Sequence, residues 1–149
     1  MKTKTRYFGE IDYTKDDVIT LPKGLFGFEA EQRFLLLPFS NAGTLYSLQS
    51  LKTPELAFTL MHPFTLHTGY APVLQEEELE ALHAKKSEEL YYYVMCTVKE
   101  PIAECTVNMK CPLAINPDIR CGMQVILEDD AWEMRHKLSE FGGQEDKTC

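Results

Sequence analysis

From Phe34 onward the chain is cut into apolar runs of 4 to 7 residues, each closed by turn-forming residues, and that rhythm excludes long helices over this stretch. The runs are Phe34 to Leu37, Leu45 to Leu51 and Leu56 to Met61, separated by Pro38, Asn41-Ala42-Gly43, Lys52-Thr53-Pro54 and His62-Pro63. Short strands at this spacing predict an antiparallel sandwich or small barrel rather than alternating strand–helix units. Leu90 to Val98 is the strongest strand, with Leu90, Tyr92, Val94, Cys96 and Val98 on one face and Tyr91, Tyr93, Met95 and Thr97 on the other. Apolar character on both faces marks a central strand. Thr106 to Asn116 reads as two strands joined by a turn, and a last core strand runs from Cys121 to Leu127.

The ends of the chain read less simply. Thr5 to Ile11 alternates as a half-buried strand would, and with Val18 to Leu21 it predicts an opening hairpin. Gly24-Leu25-Phe26-Gly27-Phe28-Glu29 is apolar but twice broken by glycine, which suits a bend. One helix is expected, from about Gln75 to Lys86, with Glu76, Glu77 and Glu78 in its first turn and Lys85 and Lys86 at its end, the charge order that complements the helix dipole. Trp132, Met134 and Leu138 suit a short docking segment. The expected fold is therefore mainly β: a single antiparallel barrel-like domain over residues 1–141, one short surface helix, a short C-terminal segment, and a flexible polar tail over 142–149.

Composition excludes several classes of function. With 44% hydrophobic and 26% charged residues the 149-residue chain is ordinary for one globular domain. No apolar run approaches the roughly 20 residues of a membrane-spanning helix, and the start lacks the apolar stretch of an export signal, so a cytoplasmic protein with no membrane contact is expected. Five cysteines, an odd number, then read as reduced thiols. A net charge of −8 disfavours nucleic acid as a direct partner and points to a basic protein instead. Half of that charge, −4, falls between Gln75 and Leu90, where six glutamates meet two lysines. Such a patch steers a basic partner, although it also serves solubility alone.

Chemistry finds little support in the residues. Cys105, Cys111 and Cys121 lack the paired spacing of a structural zinc site, and His62 and His67 share neither a helix face nor a strand face. No Gly-flanked nucleophile elbow is present, and the Gly24 to Glu29 run lacks the lysine and hydroxyl of a phosphate loop. No metal, cofactor or catalytic residue is expected. A small-molecule barrel lined by Tyr91, Tyr93 and the central cysteines is the alternative, and a side-chain-filled interior would count against it.

Taken together, Gly24 to Glu29, Leu48-Gln49-Ser50, Pro54 with Ala57-Phe58 and Pro63, and Thr106 to Asn116 with Gln124 resemble the bacterial flagellar assembly factor family FliW. The resemblance runs from about Ile19 to Leu138, with departures at Met109, Cys111 and Trp132. It implies a compact, mostly antiparallel β-barrel-like monomer without enzymatic activity that binds newly made flagellin and CsrA, the basic RNA-binding regulator of flagellin translation. While free of flagellin, such a factor holds CsrA away from the flagellin messenger RNA; once occupied, it releases CsrA to repress. Glu76, Glu77, Glu78 and Glu80 are the expected CsrA contacts. Phe28, Glu29, Leu48, Gln49, Ser50, Asn108, Met109, Asn116 and Gln124 are the motif positions through which the resemblance implies contact with flagellin or CsrA. Phe28, Leu48 and Met109 either point outward to receive flagellin or belong to the core, and the polar four, Gln49, Asn108, Asn116 and Gln124, either face a partner or bond to turns and buried backbone.

Overall fold

In the computed structural model, which describes residues 1–39, 44–101 and 104–144, seven strands close into a barrel. Around it run β3 (Val18–Thr20), β4 (Arg33–Pro38), β5 (Leu45–Ser50), β6 (Ala57–Met61), β7 (Tyr91–Thr97), β9 (Leu113–Asn116) and β10 (Cys121–Gln124). All neighbours are antiparallel except at the seam, where β10 meets β3 in parallel through one pair, Cys121 opposite Thr20. A two-residue β8 (Thr106–Val107) extends the sheet from the end of β7, and β11 (His136–Lys137) pairs with β8 in turn. Outside the barrel lie a hairpin of β1 (Lys2–Lys4) and β2 (Glu10–Asp12), and two short helices, α1 (Pro63–Leu66) and α2 (Glu76–Ala81).

The pleat of β7 divides the core in two, because successive side chains leave opposite faces of a strand. Tyr93 joins Ile19, Phe34, Leu48, Leu60 and Leu113, residues from six strands around the circle that meet only inside the barrel. Tyr92, Val94 and Cys96 face outward into a second cluster, roofed by Leu66, Tyr70, Leu82 and Leu138. Burying a Phe or Leu side chain stabilises a fold by roughly 1.5–3 kcal/mol, so both layers matter.

Three expectations are corrected. The opening hairpin pairs Thr3 with Ile11, and Val18 to Thr20 instead enters the barrel beside β4. Residues 5–9 are turn rather than strand: Thr5 Oγ1 accepts the Phe8 N–H at 2.9 Å and donates to Gly9 O at 2.7 Å, with Gly9 at φ 66°. Local turn bonds thereby outweigh the alternation, and Tyr7 is left exposed. Secondly, β8 and β9 do not form a hairpin with each other. Both run antiparallel to β7, β8 beside Cys96 and Thr97 and β9 beside Tyr91 to Tyr93. Between them the chain kinks at Asn108, whose Oδ1 accepts the N–H groups of Lys110 and Cys111 at 3.2 and 3.0 Å.

Thirdly, the helix expected to reach Lys86 ends at Ala81. Leu82 is pulled into the core and His83 takes a left-handed φ of 54°, so Lys85 and Lys86 lie beyond the last turn. The Asn41-Ala42-Gly43 turn and residues 145–149 of the expected tail lie outside the described residues, while Leu138–Gln144 forms a 3-10 turn.

Candidate functional site

The motif residues singled out from the sequence separate into an inner and an outer set. Leu48 and Met109 are fully buried, and Ser50 is almost so. The three buried amides each pin a surface segment to the barrel. Gln49 accepts the Arg6 N–H at 2.9 Å and donates to the carbonyls of Ser50, Pro54 and Leu56, so it ties the N-terminal hairpin to β5. Gln124 accepts the Phe26 N–H at 3.0 Å and donates to Cys111 O, holding the glycine-rich bend. Asn116 donates to Leu82 O at 2.7 Å, anchoring the end of α2 to β9. Ser50 works through Glu31, its hydroxyl donating to that carboxylate while accepting the N–H groups of Lys52 and Thr53. Asn108 shapes the kink before β9, as described above.

The outer set comprises Phe28, Glu29 and the glutamates of α2. Phe28 is 40% exposed and stands edge-on to Phe58, centroids 5.0 Å apart. Its bend is fixed by glycine: Gly24 has φ +64°, and a Cβ there would lie 2.5 Å from Phe28 O. On α2, Glu76, Glu77 and Glu80 are exposed, and among the described residues none of them has an ion-pair partner. Glu78 is half-buried and accepts the Gln75 N–H at 2.8 Å, which caps the helix start. One of the four expected contact glutamates is thus partly committed to the fold.

Folding joins features that the sequence keeps apart. Gln75 Nε2 donates to Glu128 Oε1 at 2.6 Å, bringing the 76–80 and 128–130 acidic clusters into one field. Between α2 and the glycine-rich bend lies a groove of about 460 Å³, lined by Phe26, Glu29, Gln75, Glu78, Met123 and Ile126 among others. A neighbouring hollow shares Gln75 and Ile126 with it and reaches Val73 and Trp132; a third shares Val73 and reaches Phe64. Phe26, Ile126, Val73 and Phe64 are 50%, 53%, 77% and 42% exposed, so this is an apolar strip with carboxylates along its border. Phe26, Ile126 and Val73 were not legible as one surface, because only the tertiary fold brings residues 26, 73 and 126 together.

Burial holds a few titratable groups in their neutral forms. Burial pushes the thiols of Cys111 and Cys121 up, away from the thiolate that a nucleophile needs. Burial likewise raises Tyr92 and Tyr93 to about 12 and lowers His62, whose Nε2 lies 3.0 Å from Tyr46 Oη. Among the described residues no group of three or more His, Cys, Asp and Glu could hold a metal ion, and no helix is long and apolar enough to cross a membrane. Tyr93 belongs to the inner cluster, Cys96 and Cys105 to the outer one, and Tyr91 is exposed, so the residues named for the small-molecule alternative do not line one common chamber.

Comparison with known proteins agrees with this architecture. The family model described as FliW protein matches residues 2–138. The flagellar assembly factor FliW of Geobacillus sp. (strain WCH70) is 36% identical over 138 residues, spanning 93% of this chain and 95% of that protein. Its counterpart in Syntrophomonas wolfei is 33% identical over 148 residues, 99% of this chain and 95% of that one. A crystal structure of the flagellar assembly factor FliW superposes with a TM-score of 0.86 at 33% identity, covering 93% of this chain and 96% of that one.

Proposed function

The chain belongs to the FliW family of flagellar assembly factors, and from that premise we propose that it acts without chemistry, by binding flagellin and CsrA in alternation in the cytoplasm. Free of flagellin, it holds CsrA and lets flagellin messenger RNA be translated; occupied by flagellin, it releases CsrA. Two binding equilibria that share one component suffice for such a switch, because any ligand that takes up the free factor shifts the other equilibrium by mass action.

The observation that carries this reading is α2: Glu76, Glu77 and Glu80 are exposed and have no ion-pair partner among the described residues, on a helix anchored by Asn116 and the packed Leu82. Unpaired carboxylates on a fixed support keep their field for an incoming partner, and an RNA-binding regulator supplies the complementary charge. The apolar strip from Phe26 to Phe64 suits the other partner, since an amphipathic flagellin helix buries its apolar face in such a groove. Phe28 and Glu29 flank its start. Asn116 and Gln124 serve from beneath, by fixing α2 and the glycine-rich bend, while Leu48, Gln49, Ser50, Asn108 and Met109 hold the barrel and its turns.

Reversing Glu76, Glu77 and Glu80 to lysine tests the reading. At about 0.2–1 kcal/mol for each exposed pair, the triple variant should lose roughly tenfold or more of its CsrA affinity at low salt and flatten the salt dependence, while lysines in the first turn of α2 lower the melting temperature only slightly. Unchanged affinity at low salt would reduce the patch to solvation. Size-exclusion runs with CsrA, flagellin and both together then test alternation: a stable ternary peak would overturn it.

A further inference from the structure

A second charged surface lies on other residues than the acidic strip, and its sign is opposite. Across one rim of the barrel Arg120, Thr20 and Arg33 succeed one another. Cys121 pairs with Thr20 at the seam, Thr20 pairs with Arg33, and Leu51 N–H bonds to Arg33 O at 3.0 Å, which brings Lys52 alongside. One groove, of about 440 Å³, is lined by Lys15, Val18, Thr20, Arg33, Ile119 and Arg120 together with Asp16 and Asp118. An adjoining hollow shares Arg33 and adds Leu51 and Lys52. In a chain of net charge −8 this rim carries four cations against two carboxylates.

Two further acids lie nearby but line neither groove: Asp17 accepts the Thr14 N–H at 2.8 Å, and Glu31 takes the hydroxyls of Ser50 and Thr53. Arg120 is held in place, with Nη2 donating to Asp17 O at 2.9 Å and its backbone at a left-handed φ of 54°. Its Nε is shut off from solvent and has no acceptor among the described residues, so a partner would meet the other guanidinium N–H groups rather than this one.

We propose that this basic rim docks an acidic segment of a partner protein, one whose carboxylates meet Arg33, Arg120 and Lys52 while an adjacent apolar side chain rests on Ile119. Ile119 is 46% exposed beside the cations, an apolar shelf that a phosphate does not use. The overall negative field repels a long polyanion such as RNA but tolerates a short segment with a few carboxylates. The inference stands apart from the switch described above, which rests on α2.

Amide chemical shifts of the full-length chain, titrated at low salt with a short alternating glutamate–leucine peptide, test it. Shifts should concentrate at Thr20, Arg33, Lys52 and Ile119 to Cys121. The exposed double change Arg33→Ala, Lys52→Ala should weaken binding up to roughly tenfold without moving the melting temperature. Shifts scattered over other surfaces, or unchanged affinity in the variant, would overturn the proposal. So would equal binding of a lysine–leucine peptide, or tighter binding of inorganic phosphate or an RNA oligonucleotide. Rim shifts that grow with protein concentration alone would overturn it in favour of a second copy of the chain.

Discussion

Gln49 bonds to segments on both sides of it in sequence: its amide joins Arg6 of the N-terminal arm to the carbonyls of Ser50, Pro54 and Leu56 while the whole side chain is sealed from water. Leaving several buried polar groups unpaired costs about 1–3 kcal/mol per group, so Gln49→Ala should destabilise the protein by about 3 kcal/mol in urea unfolding. Arg6 should also lose its hydrogen-exchange protection first, whereas Phe28→Ala, at an exposed ring, should cost far less. Such residues were visible as a motif, with a partner-facing and a structural role both left open. A glutamine between Leu48 and Ser50 carries no mark of burial, because its polarity argues for the surface and only the surrounding carbonyls, set by the fold, satisfy it. Asn116 and Gln124 repeat the lesson: each is a buried amide whose bond partner lies in a surface segment, Leu82 and Phe26.

At the level of elements, the strands were readable and their partners were not. Leu90 to Val98 announced a central strand by being apolar on both faces, and β7 indeed touches β6, β8 and β9. No periodicity could say that β8 and β9 share that strand as successive neighbours, since the choice depends on the kink that Asn108 imposes. The helix was misjudged in length for a similar reason. Charge order favoured Lys86 as its end, yet the pull of Leu82 into the core stops it earlier, and His83 bears the left-handed turn. A non-glycine residue in that conformation costs about 1 kcal/mol relative to glycine. His83→Gly should therefore raise stability by roughly that amount in thermal melts, with α2 and its glutamates undisturbed.

For the molecule as a whole, three buried tyrosines set a limit in alkali. Tyr92 and Tyr93 are raised to about 12 by burial, and Tyr70, whose hydroxyl donates to Met109 O at 2.8 Å, is raised further by the same cause. A phenol with a raised folded pKa binds its proton more tightly in the native state, so its contribution is fully present below pH 10 and is lost as pH climbs toward 12. Ultraviolet titration should find these three tyrosines still protonated well above pH 10, until the fold opens; their early ionisation would contradict the packing. The single parallel pair between Thr20 and Cys121 has a consequence for biosynthesis. While the ribosome is still making the middle of the chain, β3, β4 and β5 can form a sheet, but its outer edge has no mate until residue 121 leaves the exit tunnel. Nascent chains of this protein pass through a long interval with the Thr20 edge of that sheet unpaired, and translation pausing before β10 would lengthen it.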